Sequence, residues 1–176
     1  MTFFKTALFA AAALSGLGAC TTTGDASQDQ AASMVAPSKG ALESAIEAAG
    51  GDALLVVTPD YNRPTQEGLF RRFTAIADAV GIPVILYNVP SRTVADLAND
   101  TVLRLAELPR IVGIKESTSN IERVTDLMAR MPKGFMVFSG NDDAALAYAQ
   151  LGANGVISVT ANVAPALCAE VQQAWR

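Results

Sequence analysis

Lys115 ends an uncharged run, Arg110-Ile-Val-Gly-Ile-Lys115, and Glu116-Ser117 follow it. An amine at the end of an apolar strand is partly desolvated, which favours its neutral form. A neutral amine attacks a carbonyl carbon and leads to a Schiff base. Read alone, the motif fits a solvated loop lysine better than a nucleophile. Tyr87 closes a second apolar run, Pro83-Val-Ile-Leu-Tyr87-Asn88, where a phenol can give and take a proton. Arg92 follows in Val89-Pro90-Ser91-Arg92-Thr93, and its guanidinium offers a two-pronged seat for a carboxylate. Tyr61, in Pro59-Asp60-Tyr61-Asn62, is a second phenol behind an earlier apolar run. Each tyrosine taken singly is more simply a packed aromatic. Three such motifs behind successive apolar runs point to one shared site. The chain has no histidine. That removes histidine bases, histidine metal ligands and Ser-His-Asp triads, and leaves tyrosine, lysine and carboxylates to move protons.

These residues need a scaffold that brings strand ends together. The spacing predicts strands over Ala53–Thr58, Pro83–Asn88, Arg110–Lys115, Phe135–Ser139 and Gly155–Thr160. They are rich in Val, Ile and Leu without clean alternation, as parallel strands covered on both faces are. Helices are predicted over Gln66–Val80, Ala95–Glu107, Asn120–Ala129, Asp142–Leu151 and Pro165–Trp175, with Gly81, Pro109, Pro132 and Gly152 as stops. Polar residues gather at the strand C-termini: Thr58 to Asn62, Tyr87-Asn88, Lys115 to Ser117, Ser139 to Asp142, and Ser158, Thr160 and Asn162. Sites of parallel α/β folds lie at that edge. A doubly wound sheet would usually show a glycine-rich phosphate loop after its first strand. None is present, so a β/α barrel wall is expected.

The composition agrees. Hydrophobic residues make up 51 % of the 176, and 13 basic residues face 17 acidic ones. A core is affordable, and no basic stripe suggests nucleic acid. The two cysteines do not form a metal motif; Cys168 reads as a buried helical thiol. Residues 1–20 read as a lipoprotein-like signal: Lys5, an apolar run from Ala7 to Leu17, then Leu17-Gly18-Ala19-Cys20, with Cys20 the candidate for lipidation. The apolar run is short for a membrane span. Residues 21–40 read as a flexible linker and residues 41–176 as the β/α domain.

The segments DALLVVTPDYNRPTQEGL (52–69), PVILYNVPSRT (83–93), IVGIKES (111–117), FSGND (138–142) and GVISVTANVAP (155–165) resemble the 4-hydroxy-tetrahydrodipicolinate synthase family, over roughly residues 45–175. The wider superfamily includes N-acetylneuraminate lyase and keto-deoxy sugar-acid aldolases. The resemblance implies a TIM-type (β/α)8 barrel and a lyase of lysine and diaminopimelate biosynthesis that condenses pyruvate with L-aspartate 4-semialdehyde. It assigns Lys115 the pyruvate imine, Tyr87 the proton exchange and Tyr61 its continuation to solvent. Arg92 would hold the carboxylate of the second substrate, and the Ile157 backbone would approach pyruvate. No metal or cofactor is implied, because the iminium is the electron sink. The family implies a cytoplasmic enzyme, whereas the leader reads as an exported, membrane-anchored protein.

The sequence also departs from the family. Only five βα units are legible, resembling the fourth to eighth of the eight that a barrel of about 250 residues contains. The Gly-Thr-Thr-Gly-Glu loop of the earlier units, which supplies a relay hydroxyl and part of the pyruvate carboxylate pocket, is missing. So are the helices that follow the family's barrel. Asp60 stands where the family shows an aromatic residue. Five parallel strands are expected to leave open edges and an open inner face. That suits a marginally stable or inactive fragment, a homo-oligomer, or a chain completed by a complementing barrel fragment. The composition change between Thr23 and Ala45 fits a leader fused to the later half of a synthase. Two other readings stay open: a membrane-tethered, non-catalytic lipoprotein, and a keto-deoxy sugar-acid aldolase, against which Arg92 counts.

Overall fold

The structure, a computed structural model, describes residues 49–175. The leader, the linker, Cys20 and residues 41–48 lie outside the described residues. Five strands follow one another: β1 (Leu54–Val57), β2 (Val84–Asn88), β3 (Ile111–Glu116), β4 (Met136–Ser139) and β5 (Gly155–Val156). Between and after them lie α1 (Gln66–Ala79), the single turn α2 (Pro90–Thr93), α3 (Asn99–Ala106), α4 (Ile121–Arg130), α5 (Ala145–Gln150) and α6 (Pro165–Trp175). The helix starts carry their own chemistry. Thr65 Oγ1 accepts from Gly68 N and opens α1; Asn120 Oδ1 accepts from Arg123 N and opens α4.

All four strand pairings are parallel, and the strand order is the sequence order. Leu54, Val84, Leu86, Ile114 and Val137 face one side of the sheet. On that side they meet Leu69, Phe73 and Ala77 of α1, Val102 and Leu105 of α3, Val124 and Leu127 of α4, and Tyr148 of α5. A doubly wound sheet would break the sequential order and place helices on both faces. Sequential order with helices on one face is the wall of a TIM-type barrel, here incomplete, with five βα units.

The expected elements are present, with three revisions. The second long helix begins at Asn99 rather than Ala95. Residues 96–98 are taken instead by side chains. Asn88 Oδ1 accepts from Leu97 N at 3.0 Å, Gln66 Nε2 donates to Asp96 O at 2.7 Å, and Gln66 Oε1 accepts from Ala98 N at 3.0 Å. The fifth strand keeps only Gly155 and Val156, because its partner β4 ends at Ser139 and the chain turns into a 3₁₀ turn at Thr160–Asn162. Gly113 of β3 lies close against β4. A Cβ there would sit 2.5 Å from Met136 O, so the glycine permits close approach of β4. Cys168 is half-buried rather than buried, its Sγ 3.8 Å from Ser158 Oγ, because α6 buries none of its residues.

Candidate active site

Parallel register gathers the reactive residues. Val57 pairs with Tyr87, Tyr87 with Lys115, Lys115 with Phe138, and Phe138 with Gly155. In-register neighbours share a face, so this row crosses the sheet on the face away from the helices. Lys115 is 8 % exposed, and its Nζ stands 4.3 Å from the centroid of the Tyr87 ring. The electron-rich face of the ring lies under that nitrogen. Among the described residues no carboxylate forms an ion pair with Lys115.

Behind this row lies a second one, one residue further along each strand and turned toward the helices. Thr58, Asn88, Glu116 and Ser139 are all fully buried. Asn88 pairs with Glu116 and Glu116 with Ser139. The Glu116 carboxylate is well supplied with donors: Arg123 Nε at 3.0 Å, Asn88 Nδ2 at 3.1 and 3.3 Å, and Thr118 N at 2.9 Å. Asn88 Nδ2 also reaches Asp96 Oδ1 at 2.9 Å, and Arg123 reaches Asp96 Oδ2 at 3.3 Å and the Leu97 carbonyl. A buried carboxylate is tolerated only when paired in this way. The network binds β2, β3, α4 and the 96–97 segment just beneath the Lys115 row. Sequence reasoning placed Glu116 and Asn88 at the strand edge without a role and passed over Arg123. A glutamate inside an apolar strand, with an arginine opening the next helix, was the available signal.

The other expected residues are placed less uniformly. Arg92 is exposed on α2, among the described ion pairs in none, and its turn is tied down on either side. Arg92 N donates to Val89 O, and Val94 N to Pro90 O. The buried Thr93 hydroxyl accepts from Thr58 Oγ1 at 3.0 Å. Val94 closes the turn in the left-handed region, at φ 59°. Ile157 continues β5, its N donating to Ser139 O at 2.9 Å, which sets its backbone beside the end of β4. Tyr61 is not gathered with the others: its ring stands in solvent after β1, 92 % exposed, rather than packed beside Lys115 and Tyr87. At the far edge Asp142 accepts from Thr160 Oγ1 at 2.8 Å and Thr160 N at 3.2 Å. Its carboxyl is held below the usual value, chiefly by the nearby Ser158 hydroxyl and then by Thr160.

The arrangement offers the amine of a buried lysine on an aromatic face, with an exposed guanidinium, unpaired among the described residues, on a fixed turn at the same sheet edge. Comparison with known proteins gives the family. The profile of the dihydrodipicolinate synthetase family matches residues 14–176. A 4-hydroxy-tetrahydrodipicolinate synthase from Thiobacillus denitrificans is 60 % identical over 131 residues, which is 74 % of this chain and 44 % of that protein. One from Nitrosospira multiformis is 63 % identical over 123 residues, covering 70 % and 41 %. The crystal structure of a chloride-inhibited dihydrodipicolinate synthase from Acinetobacter baumannii complexed with pyruvate superposes with a TM-score of 0.73 at 51 % identity, covering 76 % of this chain and 46 % of that one. The chain thus spans less than half the length of these relatives.

Proposed function

The chain belongs to the dihydrodipicolinate synthetase family, and from that premise we propose that it carries the Schiff-base half of a lyase site that joins pyruvate to L-aspartate 4-semialdehyde. The observation that carries the proposal is Lys115, a residue only 8 % exposed at a strand end, whose Nζ lies 4.3 Å from the Tyr87 ring centroid. The amine attacks the keto carbon of pyruvate, the oxygen leaves as water, and an iminium remains. The ring face beneath that nitrogen favours the positive charge as it forms. The Tyr87 hydroxyl exchanges protons with the carbinolamine and the enamine. The enamine carbon then attacks the aldehyde, whose distant carboxylate suits the Arg92 fork. Tyr61, at the solvent end, would pass protons outward. The Ile157 backbone would border the pyruvate. Arg92 and the synthase names of the relatives favour the semialdehyde over a sugar-acid aldehyde.

Borohydride reduction in the presence of pyruvate tests the proposal. One reduced pyruvate adduct on Lys115, absent from Lys115→Ala, is the expected result. A folded chain whose Lys115 stays unmodified would sink it.

A membrane attachment through Cys20 is a separate proposal, supported by the Leu17-Gly18-Ala19-Cys20 motif. Among the described residues no helix is long and apolar enough to cross a membrane. Lipid on Cys20 in a membrane fraction would support attachment, and an unmodified, uncleaved chain would refute it. Completion of the open inner face by a second copy or a complementing fragment is read by light scattering, with a monomer as the opposing result.

A further inference from the structure

The Ser117 hydroxyl lies near the Lys115 side chain, beside Gly140, with nothing to bond to among the described residues. Ser117 is two residues beyond Lys115 on the same strand line, so it shares the inner face one layer closer to the mouth. The ladder continues at this level: Ser117 N donates to Asn88 O at 2.9 Å, and Gly140 N donates to Glu116 O at 2.8 Å. Ser117 is only 6 % exposed, and its Oγ is buried without a hydrogen-bond partner. A buried hydroxyl without a partner is costly, so one that persists calls for a partner beyond the described residues, such as a bound ligand.

The position of that partner is fixed by Gly140. A Cβ on Gly140 would overlap the Ser117 hydroxyl and come within 2.9 Å of Lys115 Cε. Hydroxyl and amine stem therefore border the same small space, which exists because residue 140 has no side chain. The Ile157 backbone lies alongside, at the end of β4.

We infer that the Ser117 hydroxyl is a substrate contact, donating a hydrogen bond to the keto oxygen of the 2-oxo acid that Lys115 attacks. This rests on Lys115 being the imine-forming residue. As the nitrogen lone pair forms the N–C bond, the C–O π pair moves onto that oxygen, where a donor is worth most. A proton from the nitrogen then balances the oxygen as the carbinolamine hydroxyl. The C–O bond breaks, water leaves and the imine remains; the serine keeps its own proton throughout.

The test uses the full chain, its Ser117→Ala variant and its Ser117→Thr variant, trapped with borohydride over a range of pyruvate concentrations. The alanine variant removes only a hydroxyl that has no partner, so its melting temperature is expected to hold or rise. Its half-saturating pyruvate concentration is expected to increase about ten-fold or more. The threonine variant, which keeps the hydroxyl, is expected to recover most of that loss. A Ser117→Ala variant trapped as readily as the parent overturns the inference while leaving the Lys115 imine intact. A large fall in its melting temperature also overturns it, since the hydroxyl would then serve the fold. A parent chain that is not trapped at all removes both readings.

Discussion

Arg123 Nε donates to Glu116 Oε2 at 3.0 Å, and Glu116 is the residue next to Lys115, turned to the other face of β3. The pair joins the first turn of α4 to the strand that bears the amine. Glu116 is fully buried and the Arg123 side chain only 13 % exposed. Removing one partner leaves a charge in the core. Arg123→Met is therefore expected to lower unfolding stability by about 3–5 kcal/mol in urea titration. The double variant Glu116→Gln/Arg123→Met is expected to lose less than the two single losses added together, because neither charge is then orphaned.

Tyr87→Phe keeps the ring under Nζ and removes the hydroxyl. Trapping of pyruvate on Lys115 should still occur, with its rate reduced by about 10²-fold or more if the hydroxyl carries the proton. Tyr87→Ala removes the ring as well and should trap more slowly still. Equal rates for the parent and Tyr87→Phe would take Tyr87 out of the proton transfer.

Val94 is a β-branched residue at φ 59°, ψ −6°, and 58 % exposed. Left-handed backbone costs a residue with a Cβ about 1–2 kcal/mol. Little packing is lost on truncation at so exposed a site. Val94→Gly is expected to raise stability by about 1 kcal/mol after the glycine's extra unfolded-state entropy is deducted. A thermal melt checks this, and a fall in melting temperature would show that the valine makes contacts that outweigh the strain.

Tyr148 is fully buried in α5, and among the described residues its hydroxyl has no partner within hydrogen-bond geometry. Burial, and then the Glu116 charge, push its pKa up to about 12 from 10.0. The folded state thus holds the phenol proton more tightly than the unfolded state does. The associated stability is fully present below pH 10 and is lost as pH rises toward 12, by roughly 2–3 kcal/mol over that window. Tyr148→Phe should remove this share of the alkaline loss. Identical alkaline profiles for parent and variant would show that the phenol is not protected.

Arg92→Ala should leave pyruvate trapping unchanged and raise the semialdehyde concentration needed for half-maximal condensation by about ten-fold or more, the loss of one charge-assisted contact. A variant impaired in trapping itself would place Arg92 on the pyruvate instead.

The sheet was legible because five apolar runs at βα spacing leave few alternatives. The lysine and Tyr87 were legible because each ends such a run, and parallel register then makes them neighbours. Tyr61 was legible as a residue type but not as a position, since nothing in a loop sequence says whether a ring packs or stands in solvent. The early start expected for α3 failed for a similar reason. Residues 95–98 have a helical composition, yet Asn88 and Gln66, remote in sequence, bind their backbone first. Ser117 was visible as a polar edge residue, but its unbonded hydroxyl depends on the bare Cα of Gly140, a strand away.

The sequential strand order has a consequence for how the protein comes to be folded. Among the described residues every strand pairs only with its neighbours in chain order. Each new pairing closes one βα loop and no longer one, so the entropy of closure stays small at every step. Such pairing keeps the contacts as local as a parallel sheet allows, so the wall can be built unit by unit in chain order. Of the two register neighbours of Lys115, Tyr87 precedes it in the chain and Phe138 follows it. The aromatic face that receives the amine thus belongs to the unit made before β3.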